Sequence, residues 1–528
     1  MTADNESFGD RHLRADPQRK LNESPAITGA RVRLTLSRDV AASRVGQLGA
    51  WLCVNLLARL DGLVDTIVLE APHVATTTAL AKLSMREASI PETLSVTLAK
   101  LCEDVSAGRT RLVVAANQSE RARVEVVIGS SAEPGTAERA IWCFGRGWRA
   151  FAGARRDTTI EPLGEQDRNP LGMYLAVCYA VGEVFKVLRG VKPGVRGAQL
   201  DCVYSSLWSG TNAPRWADLQ EGPELAQTCL PATYLIGAGA VGQAVAFAVA
   251  TSELHVEFVT TLDEQQIDRT NRNRYILAGR AHEGRQKARH LANFLRRHGI
   301  PTHCEDLHWR PYLTRLNTHP HPPLAAAEAD FRFRLVLSCV DGNVARHEIQ
   351  RVMPGDLLGG STDGLRAMAV HYDLRDATAC LACHNQLSPF ESQLEDLRKK
   401  LLPLAPQDRR TRLAELGFAA DVIDSVAEYL QNAKCGELGE AALRKFAEDG
   451  PPTFAVGFVS VAAGLLLARH WLKFALGGPA AVRSDDGHYL NVNFLNGRML
   501  WTEQGVRSGC DCTLHGRAAC HAMWGGSA

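Results

Sequence analysis

Tyr234-Leu235-Ile236-Gly237-Ala238-Gly239-Ala240-Val241-Gly242 is the stretch on which the fold of this chain turns. An apolar strand (TYLI) runs into Gly-x-Gly-x-x-Gly, then into an apolar-periodic helix (VGQAVAFAVATSEL) and a second strand (VEFVTTLD). That order is the opening βαβ unit of a doubly wound α/β sheet. Gly237 permits the tight turn after the strand. Gly239 lets backbone approach phosphate oxygens, and Gly242 lets the helix pack close to the sheet. The helix N-terminus then offers N–H groups to an anion. Asp263 ends the next strand, 21 residues after Gly242, where a carboxylate accepts hydrogen bonds from ribose hydroxyls. Taken alone, the glycine motif most often marks a dinucleotide site.

The residues downstream point elsewhere. Asn271, Arg274 and Lys287 follow directly beyond the ribose-binding strand, in QQIDRTNRNRYIL and GRQKARH. A dehydrogenase has no use for cations there, whereas a nucleoside triphosphate does. Arg and Lys can hold β- and γ-phosphates and stabilise the charge on departing pyrophosphate. The plainer alternative is a solvated basic loop. Further on, the apolar strand Leu335-Val336-Leu337-Ser338 leads to Asp341. A carboxylate beyond a strand's C-terminal end overlooks the ligand crevice and can hold magnesium. Asp341 can equally serve as N-cap to the helix that begins VARHEIQ.

Working upstream, residues 31–70 repeat the pattern: strand (VRLTL), long apolar helix (VGQLGAWLCVNLLARL), strand (TIVLE). Their turn, SRDVAAS, has no glycine, so this copy keeps the scaffold but cannot bring backbone against a pyrophosphate. Each half is expected to close with a long helix and a glycine stop, at 173–190 and 456–478. The loop-rich stretch 191–230 is read as the connection between them. A charged helical segment, 389–434, interrupts the second half. The division is therefore a flexible lead-in (1–24), a degenerate copy (25–222), and an active domain (223–528) with a helical insertion (388–435).

The order Gly-x-Gly-x-x-Gly, Asp263, Asn271-x-x-Arg274, Lys287, Asp341 resembles the adenylation domain of ubiquitin-like-protein activating enzymes, MoeB and ThiF. The spacings agree, with 11 residues from Asp263 to Arg274 and 13 more to Lys287. The similarity runs over about 230–387 and 451–515. It implies a Rossmann-like adenylation domain that uses ATP and magnesium. Asp263 would bind ribose, Asn271, Arg274 and Lys287 would engage phosphates, and Asp341 would support magnesium and the adenylate. Two positions depart from the family pattern: Gln265 stands where a second acid is usual, and Tyr275 replaces the glutamine after Arg274.

Cys380-x-x-Cys383 and Cys510-x-Cys512 form two close thiol pairs, enough for a tetrahedral structural zinc site. The family carries two CxxC pairs; here the second is CxC. Among the other cysteines, Cys53, Cys102, Cys143, Cys178, Cys202, Cys229, Cys304 and Cys339 lie mostly in or beside apolar runs and read as structural. Cys435 differs. It sits in QNAKCGELGE, beside Lys434 and ahead of a helix, both of which lower a thiol pKa. The family's thioester-forming cysteine occupies this crossover region, so Cys435 is the candidate nucleophile. His319 and His321, separated by Pro320, read as a surface loop.

A net charge of +1 exerts no global pull on nucleic acid or anionic lipid. The N-terminus lacks a secretory apolar stretch, and the run Phe454–Ala468 is short for a bilayer and reads as a core helix. Fourteen cysteines without a signal fit thiols, metal ligands and a nucleophile in a reducing cytoplasm better than disulfides. The expected activity is ATP-dependent adenylation of the C-terminal glycine of a ubiquitin-like protein. Thioester formation and transfer to a ubiquitin-conjugating-type enzyme would follow. A degenerate half paired with an active one implies a pseudo-dimer within the chain, with further oligomerisation left open. That architecture looks most like the activating enzymes of bacterial antiphage conjugation operons (the Bil type). The alternatives are a sulfur-carrier adenylyltransferase and a pseudo-enzyme scaffold.

Overall fold

Two eight-stranded sheets with one shared strand order dominate the computed structural model. It describes residues 27–83, 92–115, 121–129, 135, 137–190, 199–226, 228–318, 333–375, 378–431, 438–447 and 455–525. The first sheet consists of β1 (Ala30–Leu36), β2 (Val64–Glu70), β3 (Arg111–Val114), β4 (Val124–Ile128), β5 (Ala140–Arg146), β6 (Arg149–Gly153), β7 (Cys202–Ser206) and β8 (Thr211–Ala213). Its spatial order is β3-β2-β1-β4-β5-β6-β7-β8. A short pair, β9 (Cys229–Leu230) with β11 (His255–Val256), flanks the start of the second half. The second sheet is built from β10 (Thr233–Ile236), β12 (Val259–Leu262), β13 (Thr302–Glu305), β14 (Leu335–Ser338), β15 (Asp356–Asp363), β16 (Arg366–Tyr372), β17 (Tyr489–Asn493) and β18 (Arg498–Thr502). Its order is β13-β12-β10-β14-β15-β16-β17-β18.

The duplication is thus complete in topology. In both sheets the first five strands are parallel and the last three antiparallel. The chain is a doubly wound α/β protein with a preceding degenerate copy and a helical insertion. One expectation needs correction. Neither half ends at its long helix, because β7–β8 and β17–β18 follow and complete the sheets. The stretch 191–230 therefore contains sheet strands as well as connection. These strands are short and polar (CVYSS, TNA), and the surrounding glycines and prolines hide them.

The long helices themselves lie where expected. Leu171–Leu188 is followed by Gly190 at φ 68°, and Gly457–Val482 breaks at Gly477 and Gly478, just before Pro479. Both are long and apolar enough to cross a membrane by length and composition. Yet 94% and 78% of their apolar windows are buried inside the protein. Phe185 meets Phe458 at 5.6 Å and Trp51 stacks on Phe247 at 5.2 Å, so the two halves share one apolar core. Such burial is what makes a long apolar helix stable in water. Where the last strands approach one another, Met499 N donates to Asn212 Oδ1 (2.6 Å) and Trp501 Nε1 to the Ser209 carbonyl (2.9 Å).

Among the described residues the insertion forms the helices Pro389–Leu401, Pro406–Glu415 and Ile423–Gln431, and the helix Leu438–Phe446, beyond the expected limit at 435, packs with them. They close on their own apolar cluster, which runs from Phe390 to Ala447. A separate core of this kind lets the insertion be a unit distinct from the sheet it interrupts.

Candidate functional site

The glycine turn sits at the C-terminal ends of β10, β12 and β14, the crevice end of a doubly wound sheet. Gly237 adopts φ 95°, and a Cβ there would lie 2.8 Å from the Cys339 carbonyl carbon. At Gly242 a Cβ would fall 2.1 Å from the Gly237 oxygen, which is the close helix approach the motif demands. Gly239 caps the helix Ala240–Thr251, and no side chain caps that N-terminus. A Cβ on Gly239 would come within 3.3 Å of Tyr275 Oη. Asp263 closes the turn: one carboxylate oxygen accepts from Ala238 N and the other from Gln265 N, both at 2.9 Å.

Lys287 and Arg274 are buried beside this turn. Lys287 Nζ donates to Gln265 Oε1 at 2.6 Å. Its Nζ and the Arg274 guanidinium each lie 5.3 Å from the centre of the Tyr275 ring. Burial alone would lower the Lys287 pKa. Its hydrogen bond to Tyr275 and the charges of Asp263 and Asp341 outweigh it, and the net shift is upward, so the ammonium stays charged. Arg274 is braced by the Thr270 carbonyl (3.1 Å) and Asn273 Oδ1 (2.8 Å).

The structure adds detail at two expected positions. Asn271 Oδ1 accepts from Asp268 N at 3.0 Å in a capping box, so its carboxamide oxygen shapes the loop and is not turned to a ligand. Asp341 is exposed beyond β14, and the N-cap of the helix Asn343–Arg351 is Gly342, not Asp341. That helix end is served by a residue the sequence did not single out. Glu391, from the first insertion helix, accepts from Asn343 N (2.6 Å) and Nδ2 (2.9 Å), as well as from Ser388 N (3.0 Å). Tyr275 was overlooked too, although its departure from the family pattern was the signal. Both departing residues, Gln265 and Tyr275, lie against the buried lysine.

The equivalent turn in the first half is filled. Asp39 accepts from Ser37 Oγ (2.6 Å) and from Leu163 N (3.0 Å). A carboxylate thus sits at the turn that corresponds to Gly237–Gly242 in the second half. Gln47 ties the Ala41 and Ala75 carbonyls together at 2.9 Å each.

Cys380, Cys383, Cys510 and Cys512 are buried, with all four sulfurs within 4.8 Å of one another. Sulfurs are 3.6 Å apart for Cys380–Cys383, Cys380–Cys510 and Cys383–Cys512. A tetrahedral zinc–thiolate site has edges of about 3.8 Å, given bonds of roughly 2.3 Å. Burial, with the neighbouring thiols adding to it, pushes Cys380 up and Cys512 up to about 12. Four thiolates could coexist here only around a cation, so the donor set fits zinc. Of the cysteines read as structural, Cys202 and Cys229 are exposed, against expectation, while Cys53, Cys102, Cys143, Cys178 and Cys339 are buried. Cys435, His319 and His321 lie outside the described residues.

The ThiF family model matches residues 230–512. Over 275 residues the chain is 30% identical to the bacterial E1-like protein BilD of Collimonas sp., a match covering 50% of this chain and 53%, about half, of that relative. It is 22% identical over 483 residues to an uncharacterised Sinorhizobium fredii protein, y4jF, covering 85% of this chain and 82% of that one. Among solved structures, E. coli MccB with ATP matches at a TM-score of 0.33 and 15% identity, covering 55% of this chain and 67% of MccB.

Proposed function

The chain belongs to the ThiF family, and from that premise we propose that it activates the C-terminus of a ubiquitin-like protein by adenylation and then carries it as a thioester. The observation that supports this most is the convergence on Lys287. A charged, buried ammonium lies in the field of Asp263 and Asp341, beside the Gly237–Gly242 turn and next to Arg274. Such an arrangement suits the positioning and charge stabilisation of a polyphosphate.

In the first step a carboxylate oxygen of the modifier's terminal glycine attacks the α-phosphorus of ATP, and pyrophosphate leaves. Asp263 would hold the ribose, and Arg274 and Lys287 would stabilise charge on the departing phosphates. Asp341 is the carboxylate that would hold magnesium, which neutralises phosphate oxygens when bound. In the second step the Cys435 thiolate attacks the acyl carbon, the acyl–phosphate bond breaks and AMP departs. A conjugating enzyme would then take the modifier. Zinc on the four cysteines would tie the C-terminal segment to the chain after β16 and play no chemical part.

We divide the chain as lead-in 1–24, degenerate half 25–222 and active half 223–528, with 388–435 inserted. The similarity to the bacterial E1-like protein BilD supports activation of a ubiquitin-like protein; an antiphage conjugation system is the setting proposed with it, and free thiols throughout the described residues favour a reducing cytoplasm. The deciding experiment is ATP–pyrophosphate exchange with a candidate ubiquitin-like protein that ends in glycine. Exchange that requires the modifier's terminal glycine supports the proposal. Exchange followed by sulfur transfer, without a protein thioester, would make the chain a sulfur-carrier adenylyltransferase. No exchange with any such protein would leave a scaffold.

A further inference from the structure

The segment Asn271–Gly279, which carries Arg274 and Tyr275, is buried along its whole length, and much of what holds it comes from the degenerate half. Asn55 and Arg59 stand one turn apart at the end of the helix Arg44–Ala58. Arg59 Nε donates to Asn55 Oδ1 at 2.7 Å, which orients both side chains. Asn55 Nδ2 then donates to the Ile276 carbonyl at 2.9 Å. Arg59 donates through Nη2 to the Ala278 carbonyl at 2.9 Å, and through Nη1 to the Arg272 carbonyl. In return, Arg272 Nη2 reaches the Val105 carbonyl at 3.2 Å. Arg274 therefore lies between backbone carbonyls that the other half grips. Leu56 completes the contact, since a Cβ on Gly457 would lie 3.1 Å from Leu56 Cδ2 and 3.4 Å from the Asn273 oxygen.

We propose that Asn55 and Arg59 are positioning residues for adenylation: the degenerate half acts as a clamp that sets the backbone of 271–279 and so aims Arg274 at the phosphates. The inference rests on the adenylation proposal above. Buried carbonyls need donors, and a guanidinium fork supplies two in a fixed geometry. An interface that served stability alone could have been apolar at this point, as it is at Trp51–Phe247. Placing both donors on the segment that bears a charge-stabilising residue makes its geometry depend on the neighbouring half. Displacements of about 1 Å at such a group cost on the order of a hundredfold in rate.

The test uses full-length Asn55→Ala and Arg59→Lys. Asn55→Ala removes one donor and leaves only a small void, and Arg59→Lys keeps a donor of similar reach but loses the fork. Amide hydrogen exchange at 271–279 should quicken about tenfold or more in both, with β16 and β17 unchanged. In pyrophosphate exchange kcat should fall by roughly ten- to a hundredfold, with KM for ATP moving far less. In an Arg274→Ala background the same substitutions should change kcat less than about twofold, because residues acting as one unit are not additive. Unchanged protection at 271–279, or an equal loss of kcat with and without Arg274, would overturn the clamp. Absence of exchange in the unaltered chain would instead overturn the adenylation proposal, and loop protection would still decide whether the clamp exists.

Discussion

Lys287 Nζ donates to Gln265 Oε1 at 2.6 Å, so the buried ammonium is oriented by a neutral carboxamide and not neutralised by a carboxylate. The nearby Asp263 and Asp341 favour its charged form, and under the adenylation proposal that charge would meet a phosphate. Lys287→Ala and Asp341→Ala should each slow pyrophosphate exchange by two to three orders of magnitude, about 3–4 kcal/mol of charge stabilisation. Gln265→Ala removes orientation alone and should cost about tenfold or less, roughly 1 kcal/mol for one hydrogen bond. Near-normal exchange in the lysine and aspartate variants would remove both from the site.

The cysteine quartet predicts about one zinc per chain in metal analysis of purified protein. Cys380→Ser should lower zinc content and melting temperature together, since the site joins residues 510–512 to the segment after β16. Folded, active protein free of zinc would show that the four thiols serve packing alone.

Cys435→Ala should abolish the reductant-sensitive adduct with the modifier and leave pyrophosphate exchange within about twofold, because nucleophile and adenylation site are separate groups. Persistence of the adduct would assign the thioester to another cysteine. Exchange without any adduct in the unaltered chain would mean direct transfer from the adenylate.

One nucleotide should bind per chain. Asp39 fills the turn of the degenerate half, and its carboxylate repels phosphate. Calorimetry should give a stoichiometry near one, lost in Lys287→Ala and unaltered in Asp39→Ala. Two sites per chain would contradict a degenerate first half.

Acid should loosen the nucleotide half. Burial above all, with neighbouring positive groups, lowers His282 to about 3 and His290 to about 4 from 6.5. Above pH 6.5 neither folded nor unfolded chain protonates them. As pH falls below 6.5 the unfolded chain takes up protons the folded chain refuses, so stability declines down to about pH 4 and, for His282, on to about pH 3. His290→Gln should make the fall of melting temperature between pH 7 and pH 5 shallower than in the unaltered protein. Identical slopes would show that His290 carries no part of the acid response.

Much of the nucleotide half is legible in the linear chain. Gly237 and Gly242 announce themselves because only glycine tolerates that φ and that approach, and Asp263 follows at a distance set by one helix and one strand. The cysteine pairs are legible for the same reason, since a short loop brings two thiols to one point. The short polar strands β7 and β8 escaped notice, because Thr211–Ala213 carries no apolar period to mark it. What the tertiary structure alone decided is which groups cross between elements. Glu391 reaches the helix after Asp341, and Asn55 and Arg59 reach the backbone around Arg274. Two polar residues four apart in WLCVNLLARL hint at a buried task. Their partners, however, are carbonyl groups, which every residue possesses. A backbone acceptor leaves no mark in a sequence, so only the docking of one half on the other specifies it.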